Sequence, residues 1–165
     1  MNCVMCSNGD YKITTTSPDD THKLGKILGH SCYAGLTILL NGGLGMGKTC
    51  ITQGIGAALN IKRIKSPTFI IVSEHEGKIP LAHADLYRLE SFSDVDSLDL
   101  ESFTEMGGVL VVEWAERWQN PPSEDLWSIA ITEAETNVES REIDISALGV
   151  RAKTALIEAL NSNFN

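Results

Sequence analysis

No apolar stretch in the sequence approaches the roughly 20 residues needed to cross a bilayer as a helix, so a membrane-spanning reading has nothing to rest on. Met1 to Gly9 has neither a basic start nor a long apolar segment, which argues against a secretory signal and for a cytoplasmic protein with no membrane partner. Runs of Lys and Arg are missing as well. With a formal net charge of -9 the chain has no general attraction for nucleic acid, and the small group Lys62, Arg63 and Lys65 reads as a solvated loop, with a local basic patch for nucleic acid as the alternative. Cysteine pairing is not expected, because an acidic chain without an export signal belongs in a reducing compartment. Cys3-x-x-Cys6 has metal-like spacing but no second pair, and Met1 to Gly9 reads as a loose tail. Internal repeats and low-complexity segments are absent, which removes solenoid and fibrous readings.

What is present is a chain of 165 residues and 42% hydrophobic content, the size of one domain able to cover a sheet with helices. Residues 1–165 are therefore read as a single domain, with the tail at its start.

The most informative segment is Gly42-Gly43-Leu44-Gly45-Met46-Gly47-Lys48-Thr49, which fills the G-x-x-x-x-G-K-[ST] pattern directly after the apolar run Leu36 to Leu40. A triphosphate packs several negative charges into a small volume. Glycines let the backbone come close and turn its N–H groups inward, Lys48 can reach the β- and γ-phosphates, and Thr49 can hold Mg2+. A helix from Gly47, read over Cys50 to Leu59, adds its positive dipole end. The plain alternative is a glycine-rich turn beside an ordinary lysine, and the strand-loop-helix order favours the phosphate site.

Before the loop, Tyr11 to Thr15 suggests a strand, and Ser17-Pro18-Asp19-Asp20 has the cap, proline and acids of a helix start. That helix is expected to carry Leu24, Ile27, Leu28 and Cys32 inward and to end by Gly35. After the loop, 69–74 and 79–84 read as an antiparallel strand pair joined through Glu76-Gly77-Lys78. Asp94 to Phe103 reads as one short helix and Val109 to Val112 as the most buried strand. Leu126 to Thr132 and Glu142 to Ile145 form another pair, and Val150 to Leu160 is an amphipathic helix. The sum is an α/β, P-loop NTPase-like three-layer fold with a mixed, mainly parallel central sheet and antiparallel edge strands.

An NTPase also needs an acid at a neighbouring strand end to hold or orient the Mg2+ shell. Glu113 directly follows Val109 to Val112, and the carboxyl ends of such strands meet at the ligand crevice. The alternative is a solvated acid at a loop start. Asp85 leaves a strand too, and could orient the attacking water, hold a metal-bound water or cap the next turn. His83 alternates with it along the strand, although a lone histidine is usually structural.

These pieces run in order: Leu40-Asn41-Gly42 into Gly45-Met46-Gly47-Lys48-Thr49, then Ser66-Pro67-Thr68-Phe69, His83-Ala84-Asp85-Leu86-Tyr87-Arg88-Leu89 and Val112-Glu113-Trp114. From Ser17 to Arg151 the chain resembles the TsaE family, formerly called YjeE. The resemblance implies a bacterial ATPase that works with the TsaB and TsaD proteins to make threonylcarbamoyladenosine beside the tRNA anticodon. It implies ATP hydrolysis when docked on the TsaB-TsaD complex, resetting it between turnovers, with tRNA met only through that complex.

On this chain the resemblance implies phosphate contacts from Gly42, Gly43, Leu44, Gly45, Met46, Gly47, Lys48, Thr49 and Cys50. Mg2+ would sit at Thr49 and Glu113, with Lys48, Asp85 and Glu113 as the catalytic set. Ser66 to Phe69 would be a switch-like segment near the γ-phosphate. Trp114 would lie beside the nucleotide pocket, against the plain alternative of a core-edge tryptophan. The chain departs from many members at Gly43, where they carry Asp, and at Cys50, where they carry Thr. Two rivals use the same cradle: a small-molecule kinase, and a nucleotide-dependent binding module that hardly hydrolyses. The acidic segment after Asp94 lacks the arginine cluster of a kinase lid.

Overall fold

Alternation along β3 (Thr37–Asn41) sends Ile38 and Leu40 to one face of the sheet and Leu39 to the other, and all three are buried. Such a strand needs a layer on each side. In the computed structural model, which describes residues 1–6, 9–64, 70–89, 91–122, 124–135 and 137–164, both layers are present. One is made of α1 (Pro18–His30), α2 (Lys48–Ala58) and α5 (Val150–Phe164), whose Leu24, Ile51, Ile55 and Leu156 pack with Ile38 and Leu40. The other is made of α3 (Phe92–Asp96), α4 (Leu100–Glu105) and a 3-10 turn (Ala115–Arg117), with Val95, Leu100 and Ala115 in the cluster of Leu39. Full burial of each Leu or Ile stabilises the fold by about 1.5–3 kcal/mol before chain entropy is counted.

The remaining strands are β1 (Asn2–Met5), β2 (Tyr11–Thr15), β4 (Val72–His75), β5 (Leu81–Asp85), β6 (Val109–Glu113), β7 (Leu126–Glu133) and β8 (Arg141–Leu148). Among the described residues they form one eight-stranded sheet, ordered β1-β2-β8-β7-β3-β6-β5-β4. The four central strands, β7, β3, β6 and β5, are parallel. Antiparallel strands flank them on both sides. This is the three-layer mixed α/β fold that the motif order predicts. Parallel pairing also brings the C-terminal ends of β3, β5 and β6 to one edge, with Leu40 opposite Glu113 and Asp85 opposite Glu113.

Helices α1 and α2 run side by side in the same direction, in close contact at Gly25, Gly29 and Gly54. A Cβ on Gly25 would fall 2.3 Å from the Ile51 carbonyl oxygen, and one on Gly54 would fall 2.2 Å from that of His22. The first turns of both helices therefore end up together, with the Cys50 thiol donating to the Pro18 carbonyl at 3.2 Å. Ser17 caps α1 by accepting from the Asp20 N–H at 3.2 Å.

Three expectations are corrected. Asn2–Met5 is not a loose tail but pairs with β2 as an edge strand, and the Met1 ammonium lies 3.6 Å from Asp20. The helix expected over Asp94 to Phe103 is two short helices, because Asp99 takes a left-handed backbone at φ 48° and turns the chain between them. Helix α1 stops at His30, so Cys32 lies beyond its end, its Sγ 3.6 Å from the Leu28 carbonyl. The expected 69–74 strand appears as β4, and Ser66 to Phe69 lies outside the described residues. Among the described residues no helix is long and apolar enough to cross a membrane.

Candidate functional site

The phosphate loop leaves β3 at Asn41 and enters α2 at Lys48. Gly47 is the N-cap of α2 in the left-handed region, φ 105°, a conformation costly for any residue with a Cβ. Gly42 is held by contact as well as by its φ of 146°, since a Cβ there would sit 2.5 Å from the Ile131 carbonyl oxygen of β7. Gly43 differs. A Cβ at that position meets nothing closer than Met46 Cγ at 3.7 Å, so the backbone has room for a side chain there.

Lys48 is 5% exposed, and its ammonium sits inside the loop. It donates to the carbonyls of Gly42 at 2.6 Å and Gly43 at 2.8 Å. The Trp114 ring covers the same Nζ, 3.9 Å from the ring centroid, a cation–π contact. Burial pulls the Lys48 pKa down, against the upward pull of Glu113, Glu116 and Asp85. Trp114 reaches this place because its own backbone is left-handed, φ 58°, immediately after β6. Its ring is tilted at 42° against Tyr87, with centroids 4.8 Å apart. The tryptophan thus belongs to the loop pocket, beside the lysine.

Glu113 is 3% exposed and bonded on both carboxylate oxygens. The Thr49 hydroxyl donates to Oε2 at 3.0 Å. On the other side, His83 Nε2 lies 2.8 Å from Oε1, and an ionised carboxylate can only accept, which assigns the proton to Nε2. The Thr52 hydroxyl, one turn past Lys48, stands 3.1 Å from the Lys48 carbonyl and 3.4 Å from Oε1. His83 is fully buried, and among the described residues its Nδ1 has no hydrogen-bond partner. Asp85 accepts from the Tyr87 N–H at 3.0 Å, so the turn-capping role is seen directly. The Cys50 thiol faces Pro18 instead of the loop interior.

Of the expected site residues, Gly42 to Thr49 form the loop, with Glu113 bonded to Thr49 and Asp85 beside Glu113 in the strand register, while Cys50 is turned to α1 and is not brought in with them. Sequence reasoning missed Thr52, whose position three residues after Thr49 puts both on one helix face. It also undervalued His83. The donor pair Thr49 Oγ1 and Glu113 Oε2 fits Mg2+, because both are hard oxygens and neighbouring oxygens around that ion lie about 2.9 Å apart for bonds of about 2.1 Å.

Comparison with known proteins gives the family. The family model described as "Threonylcarbamoyl adenosine biosynthesis protein TsaE" matches residues 15–143, a span that holds the loop, Asp85 and Glu113. A "tRNA threonylcarbamoyladenosine biosynthesis protein TsaE" from Nostoc sp. is 46% identical over 118 residues, 68% of this chain and 72% of the relative. The protein of the same name from Bacillus subtilis is 35% identical over 156 residues, 93% of this chain and 96% of its own. In three dimensions the chain is similar to the crystal structure of Bacillus subtilis YdiB, with a TM-score of 0.77 at 31% identity, covering 93% of this chain and 96% of that one. Matched by the family model over residues 15–143 and by relatives 46% and 35% identical, the chain belongs to the TsaE family of threonylcarbamoyl adenosine biosynthesis proteins.

Proposed function

We propose that this protein is a Mg2+-dependent ATP hydrolase that serves tRNA threonylcarbamoyladenosine formation in the cytoplasm, bound to the TsaB-TsaD complex and meeting tRNA only through it. The observation that carries this reading is the convergence of Lys48, Thr49 and Glu113 at a loop of the phosphate-binding pattern. Loop N–H groups and the first turn of α2 would bind the phosphates, and Lys48 would exchange the Gly42 and Gly43 carbonyls for phosphate oxygens. Thr49 and Glu113 would hold the ion. When bound, Mg2+ offsets charge on the β- and γ-phosphates. His83 and Thr52 keep the Glu113 carboxylate in position. Asp85, with one oxygen on Tyr87, would use the other to orient the attacking water.

ATP turnover measured for the protein alone and with purified TsaB and TsaD tests the reading. Slow hydrolysis alone and a marked rise with the pair supports it. Transfer of the γ-phosphoryl group to a metabolite, or binding without hydrolysis in the presence of the pair, would refute it.

A further inference from the structure

The β7–β8 hairpin has no part in the chemistry above, yet it touches the phosphate loop at both ends. Ile131 of β7 abuts Gly42, and Arg141 of β8 reaches the loop's far side. Arg141 Nε donates to the Met46 carbonyl at 3.1 Å, and Nη2 lies 3.5 Å from the Gly45 carbonyl. We propose that Arg141 is a positioning residue, which sets the loop's N–H groups for phosphate by holding the opposite ends of the same peptide units. The proposal rests on the ATP-binding reading above and adds a residue to it.

The peptide plane supplies the physical link. In a trans peptide the C=O and N–H point in opposite directions. Drawing the Gly45 and Met46 carbonyls toward the hairpin therefore turns the N–H groups of Met46 and Gly47 away from it. A loop whose donors are oriented before the anion arrives loses less entropy on binding.

Arg141 is itself well fixed. It pairs with Glu133 of β7 and Thr15 of β2 in the sheet. Its Nη1 donates to the Val138 carbonyl at 2.6 Å and the Ser140 carbonyl at 2.8 Å. That turn is braced in its own right, because Asn137 Oδ1 accepts from the N–H groups of Glu139 and Ser140, both at 2.8 Å. One edge of the guanidinium is thus bound to the hairpin and another to the loop. A lysine ammonium keeps the charge but cannot span these carbonyls as a planar fork.

The test compares Arg141→Lys and Arg141→Ala with the wild-type full chain in three measurements: affinity for Mg2+-ATP, melting temperature without nucleotide, and amide hydrogen exchange over Gly45 to Lys48. The expected result is an ATP affinity at least about tenfold lower in both variants, a size set by hydrogen bonds from a charged donor. Melting should stay close to wild type, and loop exchange should be faster. Wild-type affinity in Arg141→Lys would show that charge alone suffices, and overturns the proposal. A fall in affinity that tracks a fall in melting, with unchanged loop exchange, overturns it too. If Arg141→Ala does not fold, Arg141→Lys decides alone. If the wild type itself binds no ATP, the functional reading fails separately, and unchanged loop exchange in Arg141→Lys is then the result that overturns the positioning role.

Discussion

His83 Nε2 and Glu113 Oε1 are 2.8 Å apart, joining two parallel strands below the place where Thr49 meets the other oxygen of the same carboxylate. The histidine thereby limits how the acid can rotate. Gln places a donor where Nε2 stands, whereas Asn places one nearer Nδ1. His83→Gln is expected to keep the Mg2+ concentration for half-maximal ATP turnover near wild type, and His83→Asn to raise it several-fold. Magnesium titrations of both variants check this; equal behaviour would show that His83 only fills space.

Lys48→Ala removes the ammonium inside the loop and uncovers the Trp114 ring. Loss of charge-assisted hydrogen bonds of this kind costs about 1.5–3 kcal/mol, so ATP affinity should fall by about 10- to 100-fold. Calorimetric titration measures it. Because the ammonium is buried, the unliganded variant is not expected to lose stability to the same degree.

Gly54→Ala tests the α1–α2 contact. The added methyl would lie 2.2 Å from the His22 carbonyl oxygen and 2.8 Å from Gly25 Cα, and backbone cannot step aside as a side chain can. Forced overpacking of this sort costs about 1–3 kcal/mol, read as a lower denaturation midpoint. Gly43→Asp is the control, since that position is open, and it should leave stability nearly unchanged.

Acid sensitivity has a source at the start of α1. Hydrogen bonds from the Thr16 hydroxyl and N–H, helped by the Met1 ammonium, lower the Asp20 pKa below its ordinary 3.8. A carboxylate depressed in the folded state stabilises fully above the unfolded value, and that contribution is lost as pH falls through the folded one. Asp20→Asn should therefore flatten the loss of stability below pH 3.8, as followed by denaturant midpoints across the acid range.

How much of this was legible beforehand varied with how local the information was. The strand, loop and helix from Thr37 to Ala58 are marked by an apolar run, a glycine cluster and a periodic stripe, each read within a few residues. Strand β1 was not legible, because Asn2–Met5 is a strand through pairing with β2 and little in its composition says so. The break at Asp99 was hidden, since Val95, Leu98 and Phe103 suit one continuous helix and the left-handed turn has no glycine to announce it. His83 on Glu113 depends on the parallel register of β5 and β6, which joins residues 30 apart in the chain. Arg141 on the loop depends on β8 lying two strands from β3.

Glu113 and Trp114 are neighbours in sequence, and an unbroken strand would send them to opposite faces of the sheet. The left-handed backbone at Trp114 cancels that alternation, so the carboxylate reaches Thr49 and the indole reaches Lys48, two neighbours at the start of α2. A non-glycine residue in that conformation costs about 1–2 kcal/mol. Glycine would remove the cost and the ring together. Position 114 therefore sets backbone ease against the cover of Lys48 within one residue: the replacement that relaxes the backbone is the one that bares the lysine.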